Sequence, residues 1–233
     1  MATRHTDVIG SIGPSIVEGA LPGDSVITLE WLCQEYAVSR TIAREVVQVL
    51  ASMGLVESRR RTGIRVLREE HWDVFDPAVL RWWLASSRRP ELIEQLTQLR
   101  VSIEPLAAGL AADHATDEQR ADVVTLAEQM EETGARGDLR AFLEHDVAFH
   151  RLLLDASGNV MFARLGDVVE EVLRGRTDHH LMPPEPKPEA RRLHSMVADA
   201  VDHGQADVAQ AAMSAICAEV LAAMTVEAGA GEA

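Results

Sequence analysis

The stretch YAVSRTIAREVVQVLASMGLVESRRRTGIRV, Tyr36–Val66, constrains this chain more than any other. AVS reads as a tight turn and Ser39 as an N-cap. Ile42, Val46, Val49, Leu50 and Met53 then recur at the spacing of one buried helix face, which Gly54 ends. Upstream, PGD at 22–24 marks a turn. TLEWLCQEY follows, with Thr28 as a cap and Leu29, Leu32, Cys33 and Tyr36 as an apolar face. Downstream, LVES and IRVL are short extended runs joined by RRRTG, the pattern of a hairpin. Helix, tight turn, helix and two-stranded wing make a winged helix-turn-helix, whose second helix enters the major groove of DNA. Ser39, Arg40, Thr41 and Arg44 then face bases and phosphates, arginine being able to bridge guanine O6 and N7. Arg59, Arg60, Arg61 and Thr62 form a wing tip that tracks phosphates or a minor groove, and Gly63 permits its tight turn. The alternative is an ordinary helical hairpin with solvated arginines. The ordered succession of turn, cap, arginines and basic hairpin favours DNA.

The formal net charge of -15 does not argue against this, because it is unevenly spread. Residues 1–70 hold 8 Lys+Arg and 9 Asp+Glu, so the acidity lies almost wholly downstream. Salt screens charges beyond about 10 Å, so a local basic patch matters more to DNA than the total. Nothing approaches the roughly 18 continuous apolar residues of a membrane span. MATRHTDVIGSIG carries no apolar signal core, so a cytoplasmic protein is expected. Cys33 and Cys217 stand far apart in no metal or redox spacing and read as reduced structural residues.

In DVIGSIGPSIVEGAL, Val8, Ile9, Ile12, Ile16 and Val17 form one helical stripe despite Gly13 and Pro14. Beyond residue 70, helical periodicity alternates with breakers. Helices are expected near 76–87, 90–113, 117–135, 138–156, 159–178, 188–203 and 205–226. The fold class is therefore mostly α. A winged helix-turn-helix spans 1–70, a linker helix 71–89 and an all-α antiparallel bundle 90–226, with a disordered tail at 227–233. Trp72, Phe75, Leu80, Trp82 and Trp83 would form an aromatic joint between the domains.

Asp146 and His150 are four apart, on one helix face, and His194 lies on a distant helix. Together they suit a divalent cation such as zinc; the alternative for Asp146 and His150 is a salt-bridged pair. Arg100 projects from a largely apolar helix and can pair with Glu104, four residues along, as surface decoration. His145 and Glu144 read as solvated, Asn159 as a cap, and His179 and His180 as a helix-end pair.

The run Ser39-Arg40 to Arg44-Glu45, then Gly54-Leu55 and a basic wing closing at Gly63, resembles GntR-superfamily transcription regulators. Ala43 and Val46 are mild departures, and VITLEW stands where that family often has Pro-Ser-Glu. The helical part resembles the FadR-like branch with its FCD ligand domain, through Arg100, Glu104, Pro105, Asp146, His150, Asn159 and His194. The resemblance implies a metal or effector role for Asp146, His150 and His194 and a buried Arg100 that grips an acidic effector, with Arg176 a lesser candidate for the same work. Metal-binding members place a further histidine about 22 residues past the one matching His194, where this chain has Ile216, with Cys217 expected to point elsewhere. Trp72, Phe75, Asp76, Val79, Leu80 and Trp82 resemble the subgroup answering to sugar acids such as galactonate or gluconate. These resemblances imply a homodimeric, operator-binding repressor released by a small carboxylate, an aldonate. Two further readings stay open: a metal-dependent enzyme acting on a sugar acid, and a DNA-binding protein blind to small molecules.

Overall fold

The computed structural model describes residues 3–59, 63–178 and 187–230. The chain divides into two compact units, Met1–Pro90 and Glu91–Ala233.

In the first unit, α1 (Thr3–Val17) buries Val8, Ile12, Ile16 and Val17 along the expected stripe. Gly13 leaves room there for Trp82, whose ring atoms would lie 2.3–2.6 Å from any Cβ. α2 (Leu29–Glu35) is capped by Thr28, which accepts from Trp31 N at 3.0 Å, and α3 (Arg40–Ser52) by Ser39, which accepts from Ile42 N at 3.3 Å. Ala37 takes the turn between them with φ 50°. α3 buries Ala43, Val46, Val47 and Leu50, so its inward face is turned from the expected one and Ile42 and Val49 are only half-buried. Gly54 ends the segment at φ 71°, where a Cβ would meet the His71 carbonyl oxygen at 2.1 Å.

The wing is three-stranded rather than two-stranded. β1 (Val26–Ile27), β2 (Val56–Arg59) and β3 (Gly63–Val66) are antiparallel in the order β1-β3-β2. β1 is too short to show alternation in the sequence; its pairing with Ile64 and Arg65 creates it. The segment 71–89, expected as a linker, belongs to the first unit. There α4 (Pro77–Leu84) packs on α1, and Val79, Trp72 and Trp82 join the winged-helix core.

The second unit contains α5 (Arg89–His114, which begins at the end of the first unit), α6 (Asp117–Ala135), α7 (Leu139–Ala156), α8 (Val160–Ala163), α9 (Gly166–Asp178), α10 (Pro188–Asp202) and α11 (Ala206–Ala230). The helix expected over 159–178 is two, because the chain turns at Arg164–Leu165. α11 runs to Ala230, four residues into the expected tail, with alanine, the best helix former, recurring along it. Residues 231–233 lie outside the described residues, as do His179 and His180. The main core joins Ala111, Phe149, Leu153, Val197, Met213 and their neighbours from α5, α6, α7, α10 and α11. No helix among the described residues is long and apolar enough to cross a membrane.

Candidate functional site

Two groups of residues stand out, one in each unit.

In the helical unit, Asp146 and His150 project from α7 and His194 from α10, and one ligand atom from each lies within 4.8 Å of the others. All three are buried. His194 Nδ1 lies 2.7 Å from the Ala190 carbonyl, one turn back on α10. A carbonyl only accepts, so Nδ1 carries a proton there, and Nε2 is the ring nitrogen left to face the site. That Nε2 is buried, makes no hydrogen bond, and lies 3.2 Å from Asp146 Oδ1. A ring nitrogen and a carboxylate oxygen this close in a dry interior require a proton or a cation between them. His150 adds its own Nε2, 3.4 Å from the same oxygen. Its Nδ1 lies 2.7 Å from Glu104 Oε2 on α5, a close ionic contact off the line of a well-formed hydrogen bond. Both imidazoles are thus held from outside by acceptors while their inner nitrogens converge on a carboxylate. This is the outer-shell support that metal-ligating histidines receive, and the donor set fits zinc.

Glu104 ties this set to Arg100. Arg100 Nε donates to Glu104 Oε1 at 2.5 Å and Nη2 to Oε2 at 3.2 Å, with both side chains almost wholly buried. The pair seen in the sequence therefore forms, but inside the bundle and not as surface decoration. Burial opposes the Glu104 charge, yet Arg100 and His150 outweigh it and hold the carboxyl down to about 2. Burial likewise opposes charge on His150, but the Glu104 and Asp146 carboxylates raise its pKa to about 9. Burial disfavours the Asp146 charge too; the two imidazoles reverse this and hold the carboxyl far below its ordinary value.

Arg100 Nη1 is buried with no hydrogen-bond partner. Arg176, on α9, is buried as well and makes no ion pair among the described residues. Burial and then the Arg100 charge push its pKa down to about 10, so two guanidiniums share one dry region. Cys217 departs from expectation, because its thiol lies 3.8 Å from Glu104 Oε2 and does not point away. α11 buries both Ile216 and Cys217, so its inward face is wider than one residue step. Burial pushes the thiol up to about 12, leaving it a neutral weak donor. Glu144 is exposed and accepts from Arg174 at 2.7 and 2.8 Å, and Asn159 caps α8 by accepting from Met161 N.

In the winged unit, Ser39, Arg40, Thr41 and Arg44 are exposed at the start of α3. Arg59 ends β2 and Gly63 opens β3 at φ 105°, while Arg60, Arg61 and Thr62 lie outside the described residues. The arginines are less free than the sequence implies. Arg40 is paired with Glu30, Arg59 with Glu57, and Arg65 and Arg68 with Asp24. Arg44 makes no ion pair among the described residues.

Residues 5–66 match the bacterial regulatory proteins of the gntR family, and residues 95–219 match the FCD domain. This chain belongs to the GntR family of transcription regulators and carries an FCD domain. The galactonate operon transcriptional repressor of Escherichia coli is 30% identical to this GntR-family regulator over 220 residues, 93% of this chain and 95% of that one. The transcriptional regulator LutR of Bacillus subtilis is 30% identical over 202 residues, 83% of this chain and 88% of that one. A GntR structure from Streptococcus agalactiae shares the fold at TM-score 0.54 and 23% identity, over 94% of this chain and 99% of that one. The enzyme reading gives way at this point: the chain is a transcription regulator. Of the residues singled out in the sequence, the structure brings Asp146, His150 and His194 together and buries Arg100 and Arg176. Sequence reasoning missed Glu104 as the outer partner of His150, since that contact joins α5 to α7 and leaves no spacing signal. Cys217 and Glu30 were missed for the same reason.

Proposed function

We propose that this regulator represses a sugar-acid catabolic operon and is released from its operator, as a homodimer, by an aldonate effector. The observation that carries the reading is the pair of buried guanidiniums, Arg100 with an unpartnered Nη1 and Arg176 with no ion pair, near the Asp146–His150–His194 set. A buried cation without a partner is costly, and a carboxylate is what a planar guanidinium fork binds best. Asp146, His150 and His194 would hold a divalent cation. Such an ion supplies a Lewis-acid position for a carboxylate or hydroxyl oxygen. Glu104 keeps His150 oriented and neutralises Arg100, leaving Arg176 and one edge of Arg100 for the effector. With two guanidiniums against two carboxylates, a dication leaves surplus positive charge, which selects an anion over a neutral sugar.

At the DNA end, Ser39, Arg40, Thr41 and Arg44 would meet the major groove, with Arg59–Gly63 along the backbone. A dimer would set two such helices about 34 Å apart on a near-palindromic site. The similarity to the galactonate operon repressor supports the aldonate class. The test is fluorescence anisotropy on a duplex from this gene's upstream region, with zinc present and galactonate, gluconate and related acids added in turn. Tight binding relieved by one acid is the expected result. Specific binding indifferent to every acid would leave a DNA-binding regulator blind to this class and overturn the effector reading.

A further inference from the structure

Glu30, the second residue of α2, is ion-paired with Arg40, the first residue of α3. The pair bridges the two helices of the helix-turn-helix, and its side chains are 58% and 67% exposed. An exposed ion pair adds little to stability. α2 and α3 are already joined through buried Leu32, Ala43, Val46 and Leu50, so the fold does not need it. On random DNA the glutamate is a handicap. It cancels the charge of Arg40, leaves Arg44 as the free cation of α3, and sets a carboxylate near a polyanion. A carboxylate in a major groove gains only where a base edge offers hydrogen, chiefly cytosine N4, just as arginine gains most at guanine O6 and N7.

We propose that Glu30 is a base-reading residue, and that Glu30 and Arg40 act as one unit that reads a guanine together with a neighbouring cytosine in the operator. The proposal rests on α3 being the helix that enters the groove. On unselected DNA the two side chains stay paired with each other and sequence-blind affinity stays low. On the operator the guanidinium turns to guanine and the carboxylate accepts from the cytosine amino group. Glu30 therefore trades affinity for discrimination.

The test is selection from a randomised duplex pool at fixed salt, using the full chain, Glu30→Gln and Arg40→Ala. The wild type is expected to select a guanine beside a cytosine. Glu30→Gln should keep the guanine and exchange the cytosine for adenine, because a carboxamide pairs with adenine N6 and N7. On an unselected duplex near physiological salt, Glu30→Gln should bind about fivefold tighter, the effect of one more free cation on counterion release. Arg40→Ala should lose the guanine and weaken binding to every duplex, since its carboxylate partner is then unbalanced. Thermal melting is expected to be unchanged for Glu30→Gln, which excludes misfolding as the cause. A selected motif left untouched by Glu30→Gln, or an unchanged affinity for unselected DNA, overturns the role of Glu30 alone. A wild type that selects no motif overturns the recognition-helix reading, and this proposal with it.

Discussion

Glu104→Gln separates a buried electrostatic centre from a merely crowded one. The substitution keeps the shape of the side chain and removes its charge. Arg100 then faces Arg176 with the Asp146 carboxylate still acting on both, and all of these groups are buried. Breaking one partner of a buried ion pair typically costs about 3–5 kcal/mol, because the other charge stays desolvated. For a unit of this size each kcal/mol lowers the melting temperature by about 4 °C, so a fall of roughly 12–20 °C is expected. The readout can be assigned to a unit. All four tryptophans, Trp31, Trp72, Trp82 and Trp83, lie in residues 1–90, so their fluorescence reports the first unit, whereas far-ultraviolet circular dichroism reports both. The loss should appear in the circular dichroism transition. Arg100→Met combined with Glu104→Met should recover part of it, since apolar replacement of a whole pair is often neutral. The same Glu104→Gln variant should bind zinc about 10–100-fold more weakly, because His150 loses its outer carboxylate. A variant melting within about 2 °C of the wild type would refute the reasoning, as would a loss confined to the tryptophan signal.

Zinc binding near pH 7.5 should release about one proton per ion, since the pKa of His150 is raised to about 9 and a metal-bound imidazole is neutral. Affinity then rises with pH until about 9 and flattens above it; calorimetry in buffers of different ionisation enthalpy gives the proton count, and a value of zero at pH 7.5 would exclude a protonated His150 in the metal-free protein. Arg44→Ala should weaken binding to all duplexes alike and reduce the slope of log affinity against log salt by about 1, whereas loss on the operator alone would make Arg44 a base reader. Gly54→Ala should destabilise the first unit by about 1–3 kcal/mol, because φ is 71° and a Cβ would press on the His71 carbonyl; a tryptophan-monitored melt within 2 °C of wild type would contradict it.

The elements set by short-range chemistry were legible. Caps at Thr28 and Ser39, the stop at Gly54 and the spacing of Val8, Ile12 and Ile16 all act within a turn or two of helix, and each holds in the structure. β1 was not legible, since two residues carry no period and its strand exists only through β3. The rotation of α3 escaped for a related reason. Ala43 counts weakly in a hydrophobic pattern, yet it is wholly buried in the core of the first unit. The site divides the same way. Asp146 and His150 announce themselves four residues apart, whereas Glu104–His150 and Cys217–Glu104 are contacts between helices far apart in sequence.

The pairing of the head's arginines changes how an acidic regulator must find DNA. If Arg40, Arg59, Arg65 and Arg68 were free, the charge term would dominate and bind any duplex, and an effector would have to overcome it everywhere. With these four paired to Glu30, Glu57 and a shared Asp24, the sequence-blind term is smaller and the specific contacts carry more of the affinity. An effector can shift occupancy only by its differential affinity for the two states, commonly about 1–3 kcal/mol, or 5–150-fold. That range is modest against a strongly electrostatic binder and ample against a weakly electrostatic one. Charge removal tests the point: Asp24→Asn and Glu57→Gln together should raise affinity for unselected DNA and make the operator harder for the effector to clear. Unchanged release by the same acid in that double variant would show that effector coupling is indifferent to the head's charge.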